Sequence, residues 1–305
     1  MTFRSAVRDG TTLHCRAPAK INLVLRVLDC LPNGYHEIWS LMQAVDVTDE
    51  IIVRVDPNGS GISLRCNDPR LPIGAGNLAY RAAHMVIEKA DRQVGVQIDV
   101  VKRIPIGAGL GGGSSDAATV MMALVNLLEL GWSEEMMIRE AAGLGSDVPF
   151  FVKGPSAVVR GWGQEIHPLT LKNPRWVVLV TPPFSIQTGW AYLQLDRARS
   201  AVTPLSPRLT ELQSQSEVTW DALRGLMEND FESALWFHYP DLRRIKVALL
   251  DEGAEAALLS GSGSTVFGVF TERERAEQAV RALKGRAAHV ALARPWIASG
   301  LEMRD

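Results

Sequence analysis

Between Pro105 and Ala118 the chain reads Pro-Ile-Gly-Ala-Gly-Leu-Gly-Gly-Gly-Ser-Ser-Asp-Ala-Ala, five glycines in seven residues followed at once by a strongly helical run. Glycine removes side chains and permits positive φ, so successive backbone N–H groups can turn towards one point. The helix behind them adds its own free N–H groups and dipole. Such a segment is an anion cradle, most often for phosphate. Val96 to Ile104 alternates like a strand and Ala117 to Leu130 carries apolar residues on a helical face, which sets the loop between a strand and a helix.

Three glycine-rich mechanisms compete for this segment. A Walker loop ends in Gly-Lys-Ser/Thr to bring a lysine to the phosphates, and no such triplet occurs in the chain. That reading is excluded. Gly107, Gly109 and Gly112 fit the dinucleotide fingerprint, but it requires a second strand straight after the helix, ending in an acidic residue for ribose. Ser133 to Leu144 reads instead as another helix. A tight strand-to-helix turn without a ligand also remains open.

At 305 residues the chain predicts roughly two domains and a substantial core. A formal net charge of −2 supplies no electrostatic footprint for nucleic acid or an anionic membrane, so phosphate binding has to be local. Cys15, Cys30 and Cys66 are odd in number and far apart without metal-ligand spacing, and read as reduced packing thiols. Met1 to Thr12 is polar and mixed in charge, unlike a signal peptide, and no apolar run is long enough to span a bilayer. The expectation is a soluble cytoplasmic protein without nucleic-acid or membrane partner; its oligomeric state is unknown.

The first part of the chain is strand-rich: Leu13 to Leu28, a Pro32-Asn33-Gly34 hairpin turn, then Tyr35 to Asp46 and Glu50 to Asp56. A helix is expected from Asn77, a good N-cap, ahead of the strand, glycine loop and two helices already described. Short strands are expected between Gly143 and Gly163. Trp176 to Val180 opens the second part as a buried strand, and Ala198 to Glu217, rich in Ser, Thr, Pro and Gln, reads as a mobile surface loop. Helices over Thr219 to Leu250, two strands around Gly261-Ser262-Gly263, a charged helix from Glu272 to Leu283 and a strand near Val290 complete the reading. Strands and helices are mixed rather than alternating, which predicts α+β domains, residues 1–171 and 172–305, divided near Leu171.

Four further segments concentrate chemistry. Pro18 to Leu23 puts Lys20 and Asn22 on one face of a strand, where a cation and an amide suit an oxygen-rich ligand. Gly145 to Phe151 places Asp147 at a glycine-flanked bend before an apolar strand. Leu259 to Thr265 is a second glycine loop, and Tyr35-His36 follows the Asn-Gly turn directly. Each also fits a plain structural role: a solvated strand face, a turn-forming Asp, a β-turn, a core tyrosine beside a surface histidine. Their joint occurrence and order is the signal.

Taken together, Pro18 to Leu23, Pro105 to Ala118 and Leu259 to Gly268 resemble the three motifs of the GHMP kinases, which phosphorylate small-molecule hydroxyls with ATP. The resemblance covers most of the chain. It implies an α+β, two-domain GHMP kinase fold, a strand-rich N-terminal domain facing an α+β C-terminal domain across a substrate cleft. It implies that ATP phosphates lie in the loop of Pro105, Ile106, Gly107, Ala108, Gly109, Leu110, Gly111, Gly112, Gly113, Ser114 and Ser115. Lys20 and Asp147 become the catalytic pair, the lysine neutralising developing charge and the carboxylate accepting or orienting the hydroxyl proton. Mg²⁺ is implied with ATP; no residue declares itself a metal ligand, Ser115 being only a candidate. Asp116 opens the following helix as an acidic cap.

Within the family, Asn33-Gly34-Tyr35-His36, the triple glycine before Ser114-Ser115 and Gly145 to Pro149 are similar to members whose acceptor is a cytidyl diphosphate sugar alcohol of the methylerythritol phosphate route to isoprenoids. That implies acceptor contacts at Asn22, Tyr35, His36, Tyr192, Gly261 and Ser262, with Tyr35 and His36 at the cytosine and Tyr192 as a second stacking face. A GHMP kinase of the homoserine or sugar type is the alternative. An oxidoreductase would need the missing strand after Leu130, and a silent binding member would lack Lys20 or Asp147.

Overall fold

Two long strands organise the first half of the computed structural model, whose described residues are 11–32 and 34–296. β1 (Thr12–Cys30) and β2 (His36–Asp56) pair antiparallel along most of their length. The sequence divides β2 in two at Val47 to Asp49; the ladder runs on, with Pro18 opposite Thr48 and Ala17 opposite Asp49. Polar residues there look like a break, but both Thr48 and Asp49 are buried. The hairpin turn is crossed with Gly34 at φ 82°; Asn33 and the first ten residues lie outside the described residues. Register shifts fall between Pro18 and Ala19 and between Asn22 and Val24. Such bulges re-aim side chains, and Pro18, with no N–H to give a ladder, belongs at one. Cys15 is buried, which pushes its thiol up to about 12. Cys30 is exposed where β1 leaves the sheet, so the packing role expected of it does not hold.

Next come β3 (Gly61–Cys66), α1 (Leu78–Ala90) and β4 (Gly95–Val101), with β3 and β4 parallel. Asn77 caps α1 as expected, its side chain accepting from the Ala79 N–H at 2.9 Å. α2 (Gly112–Leu127) starts inside the glycine run rather than after it, and nearly every side chain from Ser115 to Val125 is buried, as in a central helix packed all round. α3 (Glu134–Ala142) follows, capped by Ser133. The next segment corrects the sequence reading: Val148-Pro149-Phe150-Phe151-Val152 forms α4 (Val148–Lys153), not a strand. All five residues are buried, so the run carries no periodicity, and Pro149 suits a first helical turn. β5 (Ser156–Gly161) then pairs with β2 and with β6 (Glu165–Pro168), so that the first sheet runs β1-β2-β4-β3 with β5 and β6 branching from β2.

The second half opens with β7 (Thr170–Lys172), β8 (Trp176–Thr181) and α5 (Thr188–Ala198). The stretch read as a mobile loop holds α6 (Pro207–Leu212), whose Leu209 and Leu212 are buried. Two apolar anchors suffice for so short a helix, and the polar composition around them hid it. β9 (Glu217–Thr219), β10 (Glu228–Asn229), α7 (Phe231–Leu235) and α8 (Pro240–Asp251) replace the continuous helices expected there. β10 adds parallel to β1, so the second half contributes a strand to the first sheet. β11 (Ala256–Leu259), β12 (Val266–Phe270), α9 (Arg273–Leu283) and β13 (His289–Ala293) fall where expected, and β11-β12-β8-β13 form an antiparallel sheet. One apolar cluster joins Ile21, Trp39, Leu41 and Val158 of the first sheet to Val177, Leu179 and Phe267 of the second. That layer fixes the two sheets against each other and so fixes the groups between them.

Candidate active site

Lys20 enters the site between two of the register shifts of β1, those at Pro18/Ala19 and Asn22/Val24. Its backbone N–H donates to the Leu110 carbonyl at 2.9 Å, tying the strand to the glycine loop. Its Nζ donates to Asn22 Oδ1 at 2.7 Å and lies 3.5 Å from Asp147 Oδ2. Asn22 in turn donates from Nδ2 to Ser40 Oγ at 2.8 Å, and Ser40 to the Val24 carbonyl at 2.7 Å. Lys20 and Asn22 share a face as their spacing predicts, but at 3% and 1% exposure it is not a solvated one. An ammonium is buried only where it is paired and hydrogen-bonded, and Asp147 and Asn22 supply both. Asp147 stands in the N-cap position of α4 without making a side-chain cap bond, and its side chain keeps 27% exposure towards the cavity.

Gly107, Gly109 and Gly111 all have positive φ, the alternation that turns backbone amides towards an anion. α2 starts at Gly112, so the N–H groups of Gly112, Gly113 and Ser114 precede any intrahelical acceptor. The second glycine loop packs against the first through backbone: the Thr265 N–H donates to the Ala108 carbonyl at 3.0 Å and Ser260 Oγ to the Gly109 carbonyl at 3.0 Å. The approach is so close that a Cβ on Gly109 would stand 2.0 Å from the Ser260 carbonyl oxygen. Asn229 holds that second loop by donating to the carbonyls of Leu259 and Gly261 at 2.7 and 2.9 Å.

Beneath the loop lies a buried charge cluster. Lys102 bridges Asp49 and Asp116, meeting Asp116 Oδ2 at 2.6 Å, while Asp49 Oδ1 accepts from the N–H groups of Arg103 and Ile104. Asp116 is therefore not a helix cap; it sits a turn inside α2, where its side chain reaches Lys102. Burial raises the Asp116 carboxyl and the Asp49 charge adds to it, with Lys102 opposing. For Lys102 burial acts downwards, but the two carboxylates outweigh it and hold the ammonium charged. A carboxyl raised in the folded state binds a proton that the unfolded chain has lost, so it lowers stability as pH rises above about 4. Asp116→Asn should remove that slope. The melting temperature of the native protein relative to the variant is expected to fall from about pH 4 towards neutrality; a constant difference would refute burial as the cause.

At the other end, His36 lies flat on Tyr192 with centroids 4.8 Å apart and planes 23° from parallel, and Tyr192 stands edge-on to Phe231. Burial raises the Tyr192 phenol, and the charges of Asp147 and Asp196 raise it further. Tyr35 is more than half exposed, its ring 5.8 Å from that of Trp162.

One cavity of about 830 Å³ collects these groups, at the upper end of what a single small ligand needs. Lys20, Asn22, Tyr35, His36, Pro105 to Ser114, Asp147, Tyr192, Gly261 and Ser262 line it. Ser115 does not: it is fully buried on the core side of α2, its hydroxyl without a hydrogen-bond partner. The sequence reading missed Lys102, Trp162 and Asp196 on the cavity wall. A lysine before a phosphate loop carried a signal. A turn tryptophan and a helical aspartate carried none. Among the described residues no three His, Cys, Asp or Glu side chains come together as a metal cage, and no helix is long and apolar enough to cross a membrane.

Comparison with known proteins agrees with this geometry. The family described as GHMP kinases N terminal domain matches residues 77–155, and GHMP kinases C terminal matches residues 215–289. A protein of Citrifermentans bemidjiense named 4-diphosphocytidyl-2-C-methyl-D-erythritol kinase is 40% identical over 289 residues, 95% of this chain and 98% of its own. A Geobacter sulfurreducens protein of the same name is 38% identical with the same coverage. A crystal structure of 4-(cytidine 5'-diphospho)-2C-methyl-D-erythritol kinase superposes with a TM-score of 0.74 at 32% identity, covering 92% of this chain and 98% of that one. The mevalonate kinase of L. major, at 15% identity and a TM-score of 0.71, shares the fold. With full-length relatives at this identity and both family domains in order, the chain belongs to the GHMP kinases.

Proposed function

We propose that the chain is the ATP-dependent kinase that phosphorylates the 2-hydroxyl of 4-diphosphocytidyl-2-C-methyl-D-erythritol, a phosphotransferase with an alcohol acceptor in isoprenoid precursor synthesis. The observation that carries the mechanism is the placing of Lys20 Nζ beside Asp147 on a strand hydrogen-bonded to the glycine loop. The triphosphate rests against the loop amides and the N-terminus of α2, where oriented N–H groups complement negative charge. Phosphoryl transfer is mostly positioning and charge stabilisation, and Lys20 supplies a fixed cation at the transferring group. Asp147 accepts or orients the hydroxyl proton of the acceptor. Asn22, with both ends of its amide engaged, aims Lys20. Gly261 and Ser262 close the wall beside Lys20.

Mg²⁺ when bound would neutralise phosphate charge. It characteristically takes few protein ligands and keeps phosphate oxygens and water. Ser115, buried on the core side of α2 and off the cavity wall, does not fit as its ligand. We also assign a cytoplasmic location, small molecules as the partners, and a division of the chain near Leu171.

Tyr35, His36 and Tyr192 form the base pocket in this reading. Tyr35 and His36 supply an aromatic face and a hydrogen-bond partner in the ring plane, stacking being worth about 1–3 kcal/mol per base and an unpaired polar group adding a penalty. His36→Ala and Tyr35→Ala should therefore each raise KM for the cytidyl acceptor at least about tenfold, with KM for ATP nearly unchanged. The decisive assay follows ATP-dependent phosphorylation across cytidyl, uridyl, homoserine and sugar acceptors. Equal use of cytidyl and uridyl acceptors, or a His36→Ala protein that loses ATP binding instead, would move these residues out of the base pocket.

A further inference from the structure

α5 presents two side chains, one turn apart, to a single ring of the first sheet. Tyr192 covers the face of His36. Asp196 brings both carboxylate oxygens to 3.0 Å from His36 Nε2. Asp196 is itself held, because Arg199 donates to its Oδ1 at 3.0 Å while reaching the carbonyls of Val27 and Leu28 at the end of β1. One face and one edge of the imidazole are thereby fixed on a side chain only 12% exposed. Among the described residues Nε2 is the ring nitrogen with a hydrogen-bond partner, and Nδ1 is left to the cavity that His36 lines.

A carboxylate accepts and does not donate, so the nitrogen that meets it carries the proton. In the neutral ring Nδ1 is then an acceptor. Cytosine offers an exocyclic amine donor where uracil-type bases offer a carbonyl acceptor. We propose that Asp196 is a specificity-determining positioning residue: by holding His36 as the Nε2–H tautomer it makes Nδ1 an acceptor that selects an amino-substituted pyrimidine over an oxo-substituted one. Without Asp196 both tautomers are open, and an Nδ1–H would suit the wrong base equally well. A polar group left unpaired by the wrong base adds to the discrimination.

This inference rests on the acceptor reading above, and two readouts keep their failures apart. In ¹⁵N NMR of histidine-labelled protein, with the His36 signals identified by their loss in His36→Ala, the native protein should show a protonated Nε2 and a bare Nδ1. Asp196→Ala should show both tautomers. In kinetics, Asp196→Ala should lower the cytidyl-to-uridyl ratio of kcat/KM by at least about tenfold, through KM for the cytidyl acceptor, with KM for ATP within about twofold. Asp196→Asn, whose amide oxygen can still accept from Nε2–H, should keep most of the ratio. An unchanged tautomer or an unchanged ratio in a folded Asp196→Ala protein overturns the proposal. The native tautomer without phosphorylation of either pyrimidine acceptor overturns the acceptor reading instead.

Discussion

Lys20→Met and Asp147→Asn are each expected to lower turnover by roughly 10²- to 10⁴-fold, the span for losing a positioned charged or proton-transfer group. Lys20 is set between Asn22, Asp147 and the second glycine loop, where a Cβ on Gly261 would lie 3.2 Å from Nζ. Methionine keeps the aliphatic stem and removes the charge. Asp147 loses its ion-pair partner in that variant but retains access to water, so the fold should survive with little change in melting temperature. Asp147→Asn should depress kcat more than it raises KM for the acceptor, because the amide can still meet a hydroxyl but takes up no proton. Two groups acting on one transfer are not additive, so the double variant should fall little below the worse single one. Near-normal turnover in either folded single variant would remove that residue from the mechanism.

What the sequence disclosed about this site depended on whether a residue acts through its own segment or through a distant one. Lys20 and Asn22 were legible because a spacing of two on a strand is a local rule, and the glycine loop because backbone freedom is written in composition. Asp49 looked like a strand break because its partners, Lys102 and two N–H groups, lie more than fifty residues away. Asp116 looked like a cap because its partner, Lys102, stands across the glycine loop just past the end of β4 and not on α2 itself. The helix of Asp147 was misread as a strand because five buried apolar residues fit either element. His36 was named for its chemistry, yet what orients it comes from α5, 160 residues further on. The topology was legible in its order of elements, and less so where two- or three-residue strands such as β10 bind by pairing rather than by pattern.

Within the glycine loop, Gly109→Val and Gly113→Val are expected to fail in opposite ways. Gly109 has φ +78°, and a Cβ there would stand 2.0 Å from the Ser260 carbonyl oxygen and 3.0 Å from that of Gly263. Both obstacles are backbone, held by β11 and β12 and unable to swing aside. Strain from a branched side chain at positive φ and overpacking against the second loop together should cost about 2–5 kcal/mol of stability. The melting temperature of Gly109→Val should therefore drop in the absence of any ligand. Gly113 has a helical conformation, and its Cβ would meet nothing nearer than Leu78 Cδ1 at 3.9 Å. The fold has room for valine there, but the side chain would stand on the cavity wall beside the first free N–H groups of α2, where the proposed phosphate lies. Gly113→Val should keep its melting temperature and raise the Kd for ATP by at least about tenfold, equivalent to 1.4 kcal/mol. Gly112 separates neither effect, because its Cβ would press on Ile104 at 3.0 Å and on Lys102 Nζ at 3.2 Å and so disturb the buried charge cluster. Calorimetric titration with ATP alongside thermal melts of both variants reads the two losses separately. ATP affinity unchanged in Gly113→Val would place the anion elsewhere than at the N-terminus of α2, and an unaltered melt in Gly109→Val would mean that the two glycine loops do not press together in solution.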